Sequence, residues 1–135
     1  MIIIGGDIIK KYPFVKQTGL KDCAAACTFM ILKYYKGFVS MSKLEEMLKI
    51  TRNGTTAYHI VKTLNALGFH AYGIKLEKIK ETKVPFIANT IIDSSYKHYI
   101  VVYEVNKNYV KIADPASKIK KISHNDFYKI STGLN

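Results

Sequence analysis

Cysteine is scarce in this chain, which has only Cys23 and Cys27 among 135 residues. The two lie four residues apart, so on a helix their Cβ vectors run side by side, which is a poor geometry for a disulfide. No second Cys/His pair elsewhere has the spacing of a zinc site. The sequence therefore predicts two free thiols and argues against a fold held by disulfides or by structural zinc.

Long apolar runs are also missing. No run approaches the roughly 18 residues that a membrane-spanning helix needs. Residues 1–7 lack the basic region and the long apolar region of a secretory signal peptide, so we interpret 1–11 as an N-terminal extension that forms an edge strand or a loose leader. No repeat, low-complexity stretch or linker divides the chain, and we expect a single domain over 1–135.

Acidic residues are few, because 10 Asp and Glu stand against 21 Lys and Arg, for a net charge of +11. Nearly all of the positive charge is lysine spread along the chain, which is typical of a solvated surface. Attraction to an anionic membrane face or to an acidic peptide is the second interpretation. No Arg-rich segment, zinc finger or Gly-aromatic RNA motif is present, so we expect no nucleic-acid partner.

Helical patterns dominate the first half of the chain, which we define as residues 12–68. An apolar stripe over 23–35 predicts the first helix, with Gly37 as its stop. Capping signals predict the starts of two further helices. These signals are Ser42 with Glu45 for the second helix, and Thr55 or Thr56 for the third, which ends at Gly68.

Strand patterns dominate the second half, residues 69–135. Strands are predicted over 69–74, 84–92, 98–105 and 109–113, with a turn at 93–95 and a small final helix beginning near Ser123. The turn at 106–108 predicts that the last two strands form a hairpin. Helices followed by an antiparallel sheet predict an α+β fold, with the helical half packed on the sheet.

Cys23 is a candidate nucleophile, because it lies at a predicted helix start. Unpaired N–H groups there stabilise a thiolate, which is the reactive form of cysteine. The alternative is a small buried core residue, which Cys27, one turn further along, fits better. Gln17 precedes Cys23 by six residues, and its amide could donate to an oxyanion beside the Cys23 N–H, although a loop glutamine is more often simply solvated. Asp22 is a possible helix cap.

His98 is the candidate base, because it opens an apolar strand that can hold it rigidly. The other histidines lie in a predicted helix, on a short strand and in a polar turn: His59, His70 and His124. Asp114 ends the partner strand, and His98 and Asp114 are about equally far from the hairpin turn, so we expect them to be adjacent. The alternative for Asp114-Pro115 is a plain turn. The order Gln, Cys, His, Asp predicts acyl transfer by a cysteine nucleophile.

Four segments share a combined pattern with one known family. They are Gln17 to Cys27, Gly54-Thr55, His98 to Tyr103 and Ala113 to Pro115. Together they resemble the bacteriocin-processing cysteine peptidase domain of peptidase-containing ABC transporters, over about residues 12–133. The combination is specific, whereas no single segment is. Ala24 is a departure, since the family usually has glycine there.

The resemblance implies a papain-like fold that cleaves peptide leaders after a double-glycine motif. It makes Cys23 the nucleophile, His98 the general base and acid, Asp114 the carboxylate that orients the base, and Gln17 the oxyanion donor. Beside these catalytic residues, it suggests three substrate contacts. These are Gly54, Thr55 and Tyr99.

The implied hydrolysis needs no metal or organic cofactor, and ATP enters only through a transporter. The implied partners are a precursor with a double-glycine leader and the membrane and nucleotide-binding domains of an ABC transporter, on the cytoplasmic side of a bacterial membrane. The alternatives are a catalytically silent domain that docks the leader and, less favoured, a basic module that binds nucleic acid.

Overall fold

The structure, a computed structural model, describes residues 12–19, 21–75, 78–91 and 97–131. The elements in chain order are α1 (Cys23–Tyr34), α2 (Met41–Leu48), α3 (Ala57–Ala66), a 3-10 turn (Ile79–Glu81), β1 (Phe86–Ile91), β2 (Lys97–Val105), β3 (Val110–Ala113), β4 (Ile119–Ile122) and α4 (His124–Ile130). The interpretations of 1–11 and of the turn at 93–95 lie outside the described residues.

The three predicted N-terminal helices are confirmed, with one correction at a cap. The Ser40 hydroxyl accepts from the Lys43 N–H at 3.1 Å, so Ser40 is the N-cap of α2. The predicted cap at Ser42 is therefore wrong. The earlier start adds Met41 and Ser42 to α2 and leaves its apolar face unchanged. Thr56 caps α3 by accepting from the His59 N–H at 3.3 Å, which decides between the two candidate threonines.

The four strands form one antiparallel sheet in the order β1-β2-β3-β4, and the predicted hairpin is β2 with β3. The strand predicted over 69–74 is wrong, because that stretch has no strand pairing. The Asn65 side chain takes the place of a strand partner at Ala71. Its Nδ2 donates to the Ala71 carbonyl at 2.9 Å, and its Oδ1 accepts from the Ala71 N–H at 2.8 Å. β4 has no counterpart among the predicted strands.

Strand β2 contributes to both hydrophobic cores of the molecule. Tyr99, Val101 and Tyr103 face a core shared with α1, α2 and α3. Ile100 and Val102 face a second core on the other side of the sheet, which α4 covers. Burial on both faces explains why the sequence of β2 is a continuous apolar run rather than an alternating one.

Over the described ranges, no group of three or more His, Cys, Asp and Glu side chains could hold a metal ion. Within the same ranges, every helix is too short or too polar to cross a membrane.

Candidate active site

Cys23 is the first residue of α1, and its side chain is buried. Asp22 occupies the N-cap position, but its side chain makes no capping bond. Its carboxylate accepts instead from the Thr18 hydroxyl at 2.6 Å. The first N–H groups of α1 are therefore left to stabilise negative charge at Cys23, as unpaired donors at a helix start do.

Cys27 lies one turn further along α1 and is fully buried. Burial raises the pKa of the Cys27 thiol well above its ordinary value, and the charges of Cys23 and Asp114 add to the effect. A thiol with a raised pKa is a poor nucleophile at neutral pH. Both cysteines contribute to the core, but Cys23 lies at the helix start and Cys27 lies one turn inside the helix.

His98 and Asp114 are in direct contact, with 2.7 Å between His98 Nε2 and Asp114 Oδ1. The imidazole is 1% exposed, which protects this bond from competing water. Asp114 Oδ1 also accepts from the Ala116 N–H at 2.9 Å, so the turn after β3 fixes the carboxylate. The carboxylate in turn fixes the orientation of the ring.

A β-bulge at Tyr103 decides which face Asp114 occupies. On the turn side of the bulge, Val105 pairs with Val110, and this register extended would put Asp114 opposite Val101. Beyond the bulge, Val101 pairs with Ala113, so Asp114 falls in step with Ile100, on the same face as His98 two residues away. A one-residue slip moves a side chain to the other face, so the bulge makes the His98–Asp114 contact possible.

Charge stabilises the protonated form of His98. Burial opposes protonation, but hydrogen bonds with Asp114 and Cys23 and the charges of both groups outweigh it and raise the pKa of His98 to about 9. Burial likewise opposes ionisation of Asp114, yet its bonds from His98 and Ala116 and the charge of Lys120 lower its pKa. Since Nε2 is bound to Asp114, Nδ1 is the ring nitrogen left to exchange a proton with the Cys23 thiol.

Gln17 lies in the loop before α1 and is held there by two hydrogen bonds. Its side-chain Nε2 donates to the Gly19 carbonyl at 2.8 Å, and its backbone N–H donates to the Pro115 carbonyl at 2.8 Å. An amide nitrogen carries two hydrogens, so the Gly19 bond leaves a second donor for a substrate oxygen. The Pro115 bond ties the Gln17 loop directly to the turn that carries Asp114.

Two of the three predicted substrate contacts lie near Cys23. Gly54 has φ +86, and the Lys21 carbonyl lies 3.8 Å from the place where a Cβ would be, so the turn packs just before Cys23. Burial, followed by the charge of Cys23, raises the pKa of the Tyr99 hydroxyl. The hydroxyl of Thr55, the third, donates to the Leu48 carbonyl at 2.6 Å, where it joins α2 to the following turn.

The remaining histidines have other partners. The His59 ring contacts the Thr56 hydroxyl at 3.1 Å, and His124 Nε2 lies 2.6 Å from the Asn106 carbonyl. The exposed His70 ring lies 5.8 Å from the Tyr72 ring. Of the four histidines, His98 is the one whose pKa is governed by Cys23 and Asp114.

Two groups around Asp114 were missed by sequence reasoning. The Ala116 N–H bond is an Asx turn, which the Asp-Pro sequence could have suggested. Lys120 lies on β4, which was not predicted, so no signal could place it near the carboxylate. His98, Asp114 and Lys120 line a cavity of about 300 Å³ whose other walls are mainly isoleucine.

The sequence matches the model of the peptidase C39 family over residues 11–134. It is 38% identical to the mesentericin-Y105 transport/processing ATP-binding protein MesD of Leuconostoc mesenteroides over 116 residues, which is 83% of this chain and 16% of that protein. It is also 38% identical to the lactococcin-G-processing and transport ATP-binding protein LagD of Lactococcus lactis subsp. lactis over 125 residues, 89% of this chain and 18% of that protein. The chain thus spans about a sixth of the length of these curated relatives.

Solved structures with the same fold include the peptidase domain of Streptococcus ComA, a bi-functional ABC transporter involved in quorum sensing. It aligns with a TM-score of 0.83 and 32% identity, covering 91% of this chain and 94% of that one. A double glycine motif protease from an AMS/PCAT transporter, solved in complex with the leader peptide, aligns with a TM-score of 0.83 and 28% identity, covering 91% and 87%. These matches confirm the predicted α+β fold.

Proposed function

Because this chain belongs to the peptidase C39 family, we propose that it is a cysteine peptidase that removes the leader of a bacteriocin or signalling-peptide precursor after a double-glycine-type motif. One observation carries the proposal. The buried His98 ring is bound to Asp114 and makes a hydrogen bond with Cys23 at the start of α1, whereas Cys27 has no hydrogen bond to His98. A thiol, a base and a carboxylate in this relation are the parts of a nucleophilic acyl transfer.

The proposed reaction has two steps. The Cys23 thiolate attacks the scissile carbonyl, a C–S bond forms, and the C–N bond breaks as the His98 imidazolium gives its proton to the leaving amine. Water then attacks the acyl-enzyme and passes a proton to His98. The C–S bond breaks, which releases the leader with a free carboxyl group and restores the Cys23 thiolate and the His98 imidazolium. Asp114 keeps the imidazole oriented through both steps, as the carboxylate of a catalytic triad does.

The oxyanion of each tetrahedral intermediate needs donors fixed in advance. In this proposal the donors are the Cys23 backbone N–H and the free hydrogen of the Gln17 amide. The support is the anchoring of Gln17 on both sides, by Gly19 within its loop and by Pro115 across the site. Hydrolysis by this route uses no metal or organic cofactor, and ATP enters only through a transporter.

The proposed substrate has two small residues, Gly-Gly or Gly-Ala, before the cleaved bond. In this proposal, larger side chains are excluded by overlap beside the thiol. Two residues are too short to select one peptide in a cell, so upstream leader contacts must add binding energy. Exposed apolar side chains beyond the end of α1, Tyr35 at 53% and Phe38 at 87%, suit the apolar face of a leader helix. The charge of +11 favours acidic leader positions.

The proposed partners follow from the curated relatives. MesD and LagD are named as transport and processing ATP-binding proteins, so we place this domain with ABC-transporter membrane and nucleotide-binding domains, at the cytoplasmic face of the membrane. The alternative of a silent docking domain is less well supported, because the Cys23–His98–Asp114 set is complete. A basic module that binds nucleic acid has no structural observation in its favour.

The test incubates the chain with a full double-glycine precursor, with the same precursor in which the Gly-Gly pair is Val-Val, and with a short Gly-Gly peptide without a leader. Mass spectrometry of the products should show one cut after Gly-Gly in the full precursor, much slower cleavage of the short peptide, and none after Val-Val. Leader binding without cleavage by the wild-type chain would favour the docking alternative. Equal rates for the full precursor and the short peptide would refute leader docking.

A further inference from the structure

Residues 12–17, which we term the entry segment, form no helix or strand but are held at both ends. At its far end, the backbone N–H of Gln17 donates to Pro115, beside Asp114. At its near end, Tyr12 and Pro13 are held by two consecutive residues of β2. The segment therefore connects a point on the sheet, outside the site, with the proposed oxyanion donor.

Tyr103 and Glu104 make the contacts at the near end. The Tyr103 hydroxyl donates to the Pro13 carbonyl at 2.5 Å, and the Tyr12 hydroxyl donates to Glu104 Oε2 at 2.6 Å. The Tyr12 and Tyr103 rings also stack, with centroids 4.5 Å apart. Neighbouring residues of a regular strand point to opposite faces, but the bulge at this place re-aims them, so both reach the entry segment.

The Glu104 bond is charge-assisted and stays formed through the neutral range. The bond from Tyr12 lowers the pKa of Glu104, and although burial opposes this, a second bond from Tyr109 and the charge of Lys111 support it. Tyr109 donates to the other carboxylate oxygen at 3.0 Å, and Lys111 Nζ lies 3.8 Å from Oε2. Burial, followed by the Glu104 bond, raises the pKa of Tyr12, so the phenol keeps its proton.

We propose that Tyr103 and Glu104 are positioning residues, which hold the entry segment so that Gln17 is fixed next to the turn carrying Asp114. The inference rests on the proposed function, since Gln17 matters only where an oxyanion forms. With the near end released, the segment would keep only the Pro115 bond at its far end and the partial burial of Phe14 and Val15 against the core, neither of which fixes the position of Tyr12 or Pro13. A small displacement of an oxyanion donor such as Gln17 lowers the rate of the chemical step. Releasing the near end should therefore lower kcat.

A matched pair of variants isolates the entry segment. Tyr12→Phe and Tyr109→Phe each remove one phenol bond to Glu104, but only Tyr12 belongs to the entry segment. We expect Tyr12→Phe to lower kcat about 10-fold with little change in KM, and Tyr109→Phe to stay within about twofold of wild type. Glu104→Ala, which removes the acceptor of both phenol bonds, should behave like Tyr12→Phe. Equal kcat values in the two Tyr→Phe variants would overturn the proposal.

A double-mutant cycle tests whether the effect passes through Gln17. In a Gln17→Ala background, Tyr12→Phe should change kcat by less than about twofold, because the donor that it positions is already gone. The rate of Cys23 alkylation by iodoacetamide, which forms no oxyanion, should be the same in Tyr12→Phe and wild type. Independent effects in the cycle, or slowed alkylation, would overturn the inference. If the wild-type chain cleaves no leader, the proposed function itself fails. If the wild-type chain cleaves the leader but the variants do not behave as expected, only the inference about Tyr103 and Glu104 fails.

Discussion

The helical half and the sheet half place their parts of the site in different ways. Cys23 is positioned by local sequence, because the helix that begins there needs only its own residues to present the thiol at its N-terminus. His98 and Asp114 are 16 residues apart and meet through strand pairing with a bulge at Tyr103. The position of Cys23 is thus set locally, whereas the contact between His98 and Asp114 depends on the register of the whole hairpin.

The largest expected effect is on the rate of cleavage, and it should distinguish Cys23 from Cys27 in the helical half. Cys23→Ala should abolish cleavage while the thermal unfolding midpoint changes little. Cys27→Ala should keep kcat near wild type and lose about 1 kcal/mol of stability from a small buried cavity. Peptide cleavage and thermal melts check both. Residual activity in Cys23→Ala, or equal labelling of both thiols by iodoacetamide at pH 7, would reject the assignment.

The next effect tests the register-dependent pair. Asp114→Ala should lower kcat by roughly 100-fold or more with little change in KM, because Asp114 orients the base and does not bind substrate. Asp114→Asn should be milder, since an amide oxygen can still accept from the imidazole. Steady-state kinetics on a full precursor give both constants. A near-normal kcat in Asp114→Ala would return this residue to the role of a turn former.

A smaller effect concerns pH, and its sign follows from the raised pKa of His98. The folded value is about 9 and the reference value is 6.5, so the stabilisation of the imidazolium is complete below about pH 6.5 and is lost as the pH rises through about 9. It amounts to at most about 3 kcal/mol. Urea unfolding at pH 6 and pH 9.5 should show the decrease in wild type and a much smaller one in Asp114→Ala. The same decrease in both proteins would assign it to other groups.

The smallest effect concerns the cap of a helix in the helical half. Thr56→Ala removes the cap of α3 and should cost about 1 kcal/mol of stability, with kcat unchanged at a temperature where both proteins are folded. Thr56→Ser keeps a capping hydroxyl and is the matched control. A loss of kcat in Thr56→Ala as large as that in Asp114→Ala would contradict the view that a local helix cap affects stability alone.

Local signals explain which parts of the fold the sequence could predict. Apolar periodicity located α1, α2 and α3, and the choice between Ser40 and Ser42 failed because both are serines close to the same helix start. The false strand at 69–74 depended on a side-chain amide, that of Asn65, which strand propensity does not describe. β4 was missed because its four residues, Ile-Lys-Lys-Ile, do not alternate and are only partly buried.

The contact between His98 and Asp114 was predictable from the sequence, whereas its register was not. The hairpin pattern predicted that His98 and Asp114 lie close together, but Asp114 is in step with Ile100, so the contact with His98 is diagonal. The bulge at Tyr103 sets this register, since without it Asp114 would lie opposite Val101. Nothing in the Tyr-Glu sequence marks a bulge. The anchoring of Gln17 by Pro115 joins residues that are almost one hundred positions apart, which no local pattern can show.

The hydrogen bond from the Gln17 backbone to Pro115 also makes the Gln17 amide a reporter of any separation between the helical half and the sheet half. Gln17 belongs to the helical half and Pro115 to the sheet half, so the two halves cannot separate at this point without exposing this N–H to solvent. Its hydrogen exchange rate therefore measures the free energy of that opening rather than of global unfolding. A bound leader that holds the two halves together should slow the exchange of this amide more than that of any amide inside α3, even when no peptide bond is cleaved.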